Sequence, residues 1–223
     1  MLIILSAKSQ SSKWQAGHFT DIKGNKETGF IRVNPSAKGP VRDEGFIEFK
    51  DGEKSTPFKL SAGDLQSFVM GKDSFVVAHA PQNEIWSKKE YDFVKVELNE
   101  DVKLYVTKVG KGGGGRGVSF EPEVGAGFST GGYGSGFGGG VGAGVEIPIG
   151  GGGGGSQKIT YYYGANTAEM RRLTDANFED IMTDIMGDEP EVVDKIKAKV
   201  YVLANVDRLV NYFKQVKAAH QAN

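Results

Sequence analysis

Cysteine is missing altogether from the 223 residues, which excludes a disulfide framework, thiolate metal ligation and a cysteine nucleophile. An excess of one charge is missing as well. The 27 Lys+Arg stand against 28 Asp+Glu, so the chain lacks the basic character that drives non-specific binding to nucleic acid or to membrane surfaces, and no nucleic-acid partner is expected. No stretch approaches the ~20 apolar residues of a membrane-spanning helix. The three histidines, His18, His79 and His220, are scattered, and none has a two-histidine helical zinc spacing or a recognisable nucleophile beside it. No residue is therefore assigned a catalytic, cofactor-binding or metal-binding role.

What the chain does have is distributed unevenly. Of its 33 Gly, 23 fall between Gly110 and Gly155, leaving 10 for the rest. That break divides the sequence. Residues 1–9 combine an apolar run with the small residues Ala7 and Ser9, the pattern of a signal-peptide remnant or of a first strand. Residues 10–110 read as an antiparallel β-domain, residues 111–156 as a glycine-rich hairpin insertion, and residues 157–223 as a final strand plus C-terminal helices that pack on the β-domain.

Short β-rich runs separated by turn residues carry the first of these readings. His18–Ile22 and Gly29–Val33 flank the turn Lys23–Lys26, which predicts a hairpin. Gly45–Lys50 and Thr56–Leu60 follow around Asp51-Gly52, then Asp73–His79, then two strands between Tyr91 and Val109 around Asn99–Asp101. Ser61–Asp64 has capping-box spacing and predicts one helical turn carrying Leu65 and Phe68. Strands this short, meeting at frequent turns, predict an α+β chain built on an antiparallel β sandwich or small barrel.

The period changes in the last third. Phe178, Ile181, Met182, Ile185 and Met186 recur at helical spacing, with Thr174 as N-cap and Gly187 as stop. Pro190 opens a second helix presenting Val192, Val193, Ile196 and Val200, and Asn205 caps a third with the stripe Val206, Leu209, Val210, Phe213 and Val216. Each helix has a single apolar face that must be covered.

The glycine-rich segment has its own order. Folded at Gly131-Gly132, it sets Thr130 opposite Tyr133, Phe128 opposite Ser135, Ala126 opposite Phe137 and Val118 opposite Val145. One face then carries Val118, Phe120, Val124, Phe128, Tyr133, Phe137, Val141 and Val145, while the other is glycine, serine and glutamate. Glycine-rich strands are entropically costly and a lone hairpin is marginal in water, so that apolar face needs a cover. The protein's own β-domain, other copies of the hairpin, or lipid would each serve; a flexible low-complexity linker is the remaining alternative.

Other motifs are weaker. Gly112–Gly117 lacks the Lys-Ser/Thr of a phosphate loop. Asp180, Asp184 and Asp188 share one helical stripe, which suits a cation or a solvated face. Tyr161-Tyr162-Tyr163 puts Tyr162 opposite its neighbours in a strand.

Gly17–Asn25 with Gly29-Phe30-Ile31, Ile47–Lys50, Leu60–Phe68, Phe93–Val96, Val102–Tyr105, Tyr161–Gly164, Asn177-Phe178 and Asp188–Val193 together are similar to an uncharacterised group of exported envelope proteins of Bacteroidetes. The resemblance implies an export signal and a cell-envelope or extracellular location, and brings no functional residues with it. The chain departs from the group in its glycine-rich insertion and short leader. The expectation that follows is a non-enzymatic structural or interaction protein that self-associates as a homo-oligomer through the hairpin. A membrane-associated or pore-forming protein, with membrane contact through that hairpin, is the alternative, and a carboxylate-based enzyme is a third reading.

Overall fold

The computed structural model describes residues 14–33, 38–81, 89–109 and 158–221. Ten strands are seen there: β1 (Gln15–Asp21), β2 (Lys26–Arg32), β3 (Phe46–Lys50), β4 (Phe58–Ser61), β5 (Leu65–Met70), β6 (Asp73–Ala78), β7 (Asp92–Leu98), β8 (Lys103–Val109), β9 (Lys158–Gly164) and β10 (Arg171–Arg172). Three helices follow, α1 (Phe178–Ile185), α2 (Pro190–Lys197) and α3 (Val206–Gln221). Residues 1–9, read as leader or first strand, and the hairpin insertion at 111–156 lie outside the described residues.

All ten strands belong to one sheet of order β10-β9-β8-β7-β6-β5-β1-β2-β3-β4, antiparallel at every ladder. The expected antiparallel α+β arrangement is present, but the sheet is not closed into a barrel. Its two ends, β4 and β10, pair with nothing further among the described strands. One contact crosses it: a parallel bridge between Glu44 and Tyr91, with Gly45 N–H donating to Tyr91 O and Glu90 N–H to Asp43 O, both at 2.7 Å. Because β3 and β7 stand five places apart in the sheet, that bridge requires the intervening strands to curl.

Bare glycines accompany the curl. Gly17 of β1 faces Gly29 of β2. A side chain at Gly17 would strike the Val69 carbonyl, and one at Gly29 would strike both the Lys50 carbonyl and the Phe49 ring. Backbone and ring approach where only hydrogen projects from the strand.

Register carries one row across the concave face: Phe19 opposite Phe68, Phe68 opposite Phe75, Phe75 opposite Lys95, Lys95 opposite Val106, and Val106 opposite Tyr161. The row passes through two cores. Under β1–β6 an aromatic core gathers Phe19, Phe49, Phe68, Phe75 and Phe93 with Ile31, Ile47 and Met70. Over β8 and β9 the helices pack Met182, Ile196, Leu209, Val210 and Phe213 against Leu104, Val106 and Tyr161. On the opposite face, Tyr105, Tyr162, Val94, Ala78 and Met170 form a third, smaller cluster. Tyr162 thus points away from Tyr161 and Tyr163, as strand alternation requires.

Several local expectations change. Ser61 N–H donates to Asp64 Oδ2 at 2.9 Å and one 3-10 turn forms at Ala62–Asp64, yet Leu65 and Phe68 lie in β5 rather than a helix. Pairing with β1 and β6 buries Phe68 and Met70 on one face, and that tertiary gain overrides the local turn signal. Thr174 is not the N-cap of α1: Asn177 occupies that position, and its Oδ1 accepts from Thr174 N–H at 2.7 Å. Met186 is buried just beyond the end of α1. Val200 is not in the second stripe, because α2 stops at Lys197 and the chain reverses through Lys199 at φ 56°, leaving Val200 56% exposed. The third stripe is buried throughout.

Candidate functional site

Strand alternation builds the most distinctive described surface. Ile31, Ile47 and Phe49 point into the aromatic core, so Phe30, Arg32, Phe46, Glu48 and Lys50 share the convex face. There Phe30 pairs with Lys50 and with Ala16, Arg32 with Glu48, and Glu48 with Lys59. The Arg32 guanidinium stands 4.7 Å from the centre of the Trp14 ring and the Lys50 ammonium 4.9 Å from it. Lys50 also lies 5.4 Å from the Phe30 ring, and Lys59 5.4 Å from Phe46. Such contacts hold cations over aromatic faces.

One carboxylate enters this surface. Glu48 is buried, and Arg32 meets it through Nε at 2.8 Å and through Nη2. Lys50 and Lys59 make no carboxylate pair among the described residues; Lys50 Nζ donates to the Glu53 carbonyl and Lys59 Nζ to the Lys38 carbonyl. Farther along, burial and then Lys26 hold the His18 imidazole below its ordinary range. The surface therefore offers flat apolar rings beside two ammonium groups that have no carboxylate pair among the described residues, which suits an acidic partner.

A charged seam divides the concave face. Lys95 Nζ lies 2.9 Å from Asp73 and 3.2 Å from Glu97, and Lys214 of α3 reaches Glu97 at 2.8 Å. A bulge between Val96 and Leu98 lets Glu97 meet α3 while the next residue, Leu98, joins the helix core. Burial alone would push the Lys95 ammonium down, but Glu97 and Asp73 outweigh it and hold it above the usual lysine value. Burial would likewise raise Glu97, and Lys95 with Lys214 reverse this and hold it low. Both stay charged, as an ion-paired seam between two cores must.

The remaining sequence candidates separate. The eight hairpin positions Val118, Phe120, Val124, Phe128, Tyr133, Phe137, Val141 and Val145 lie outside the described residues, as does Gly112–Gly117. Asp180 and Asp184 are exposed on α1, whereas Asp188 falls beyond its end. No group of three or more His, Asp or Glu among the described residues is arranged to hold a metal ion. The His79 and Tyr91 rings lie 3.8 Å apart, tilted by 50°, beside an open groove of 1190 Å³ whose wall also includes Glu169 and Asp184. Both carboxylates are exposed, and Glu169 accepts from Asn166 at 2.9 Å. His220 is paired with buried Glu189 at 2.6 Å. No described helix is long and apolar enough to cross a membrane.

Sequence reasoning missed the Trp14–Arg32–Lys50–Lys59 surface, although a signal for it existed. Phe30-x-Arg32 and Phe46-x-Glu48-x-Lys50 each set aromatic and charged residues at alternate positions; only the pairing of β2 with β3 shows that the two sets share one face. Comparison of the chain with family models, with curated proteins and with solved structures finds no match to any of the three.

Proposed function

We propose that the chain is a non-enzymatic structural or interaction protein of the cell envelope or extracellular space, self-associating through the glycine-rich segment at 111–156. The supporting observation is the ladder beneath that segment. β8 and β9 pair over seven residues, from Lys103 opposite Gly164 to Val109 opposite Lys158. The segment thus leaves and re-enters the sheet at neighbouring ends of two antiparallel strands, as the loop of a hairpin does. Leu104, Tyr105 and Val106 on one strand and Tyr161 and Tyr162 on the other are buried, so the base is anchored in both of the cores it adjoins. On the hairpin reading of the sequence, Phe120, Phe128, Tyr133 and Phe137 would supply the contact area for another copy. The resemblance to exported envelope proteins supports the location.

Deleting residues 112–155 tests the reading. Gly110, Lys111, Ser156 and Gln157 would remain as a four-residue link between paired strand ends, a length ordinary hairpins use, so the sheet should persist by circular dichroism. Light scattering after size exclusion should then show an oligomer for the full chain and a monomer for the deletion. Equal masses would remove the proposal, and dye release from liposomes by the full chain alone would favour membrane insertion instead.

A further inference from the structure

The convex cationic face has a counterpart elsewhere in the same chain. Between Thr174 and Lys197 there are eight carboxylates and two lysines. Glu189 is buried and paired with His220. Asp175, Glu179, Asp180, Asp184, Asp188 and Asp194 are exposed and make no ion pair among the described residues. Lys195 is turned over the Tyr212 ring at 4.2 Å, which takes one of the two local cations away from them.

These two surfaces cannot meet within one molecule. The helices cover the concave face of the sheet over β8 and β9, while Trp14, Arg32, Lys50 and Lys59 lie on the convex face of β1–β4, with the sheet between. Between two molecules nothing prevents the contact. The net charge is only −1, so no overall repulsion opposes approach, and separated patches of opposite sign attract at short range.

We propose that the cation-and-aromatic face of β1–β4 docks the acidic surface of α1 and α2 from a second copy, joining copies head to tail. Lys50 and Lys59 would take carboxylates, and Trp14 and Phe30 would supply apolar cover around them, the combination that lets an ion pair at an interface lose water without being left unmatched. The two patches differ, so the contact is heterologous and leaves a free patch at each end of the assembly, and growth is open rather than closed. This goes beyond the hairpin reading and would stand without the arm.

The test is sedimentation velocity on the full chain at ~20 mM and ~500 mM salt, where screening is weak and then nearly complete. Mass that rises with concentration at low salt and collapses at high salt is expected. Two variants, Lys50→Glu with Lys59→Glu and Asp180→Lys with Asp188→Lys, change only exposed or half-exposed side chains outside the cores. Each alone should associate at least ~10-fold more weakly, because like charges then face each other. Mixed together, the two should recover the wild-type series, since each variant's altered face matches the other's, a rescue that misfolding cannot produce. A wild-type mass independent of salt, or a mixture no heavier than its separate components, overturns the proposal. So does capture of an acidic polysaccharide by the wild type, lost in the lysine variant, with no change in mass. Running the series on the 112–155 deletion separates the two readings: salt-sensitive association that survives supports this contact, and association lost with silent charge swaps supports the arm alone.

Discussion

The aromatic core beneath β1–β6 and the helix-covered core over β8 and β9 occupy one face of one sheet, yet they are filled by different means. Where the strands curl, a single layer has to fill its own interior, and it does so with large rings. Phe19 meets Phe49 edge-on at 4.8 Å, Phe68 stacks on Phe75 at 4.6 Å, and Phe93 meets Phe68 edge-on at 5.0 Å. Where helices lie over the sheet, two layers share the space, and aliphatic and methionine side chains make up most of the core, with Tyr161, Phe178 and Phe213 among them. The Asp73–Lys95–Glu97–Lys214 seam runs between them. A sheet face can thus be buried by bending or by covering, and the residue types follow from which is used.

The largest expected effect is on the covered half. Phe213 is 2% exposed among the helices, and Phe213→Ala should cost ~3–5 kcal/mol in urea unfolding followed by far-ultraviolet dichroism. A cost under ~1 kcal/mol would mean that α3 contributes little to that core. The bent half should respond to the opposite kind of change. Adding a methyl in Gly29→Ala places it against the Phe49 ring and the Lys50 backbone, so a loss of ~1–3 kcal/mol is expected, with a weakened near-ultraviolet aromatic signal. A neutral result would show that the curl does not depend on the bare glycine pair.

The smallest effect sits at the boundary. Glu97→Gln leaves Lys95 with Asp73 alone and removes the Lys214 contact, and ~1–2 kcal/mol should be lost near neutral pH. The dependence on pH gives a sharper criterion. Glu97 is held below its ordinary value of 4.5, so its contribution is complete above that value in the wild type and disappears as pH falls through the lowered one. Lys95 is held above 10.5, so its share is complete below that value and is lost as pH rises through the raised one. The variant should therefore show a flatter acid limb in thermal melts between about pH 2 and 5; parallel limbs would assign the seam no net role.

Much of the local architecture was legible in the residues. Alternation and turn chemistry located β1–β4 and β6–β9 to within a few positions, and the helical stripes located α1, the start of α2 and the whole buried face of α3. Leu65 and Phe68 misled because a capping signal is local, whereas the β1 partner that claims them lies more than forty positions earlier in the chain. Val200 misled because a left-handed backbone at Lys199 leaves no trace in apolar spacing. The convex surface was invisible for a related reason: each strand shows its own aromatic and charged residues, but not which neighbouring strand will set them side by side.

Composition and periodicity by themselves settled the absence of thiol chemistry, the division into strands and then helices, and the buried stripes of α1 and α3, because these depend on residues close in the chain. Tertiary structure alone decided that the sheet stays open while curling, that its concave side holds two cores parted by ion pairs, and that Arg32, Lys50 and Lys59 share its convex side with Trp14. Those outcomes depend on strand order and register, which bring together residues that no local pattern relates.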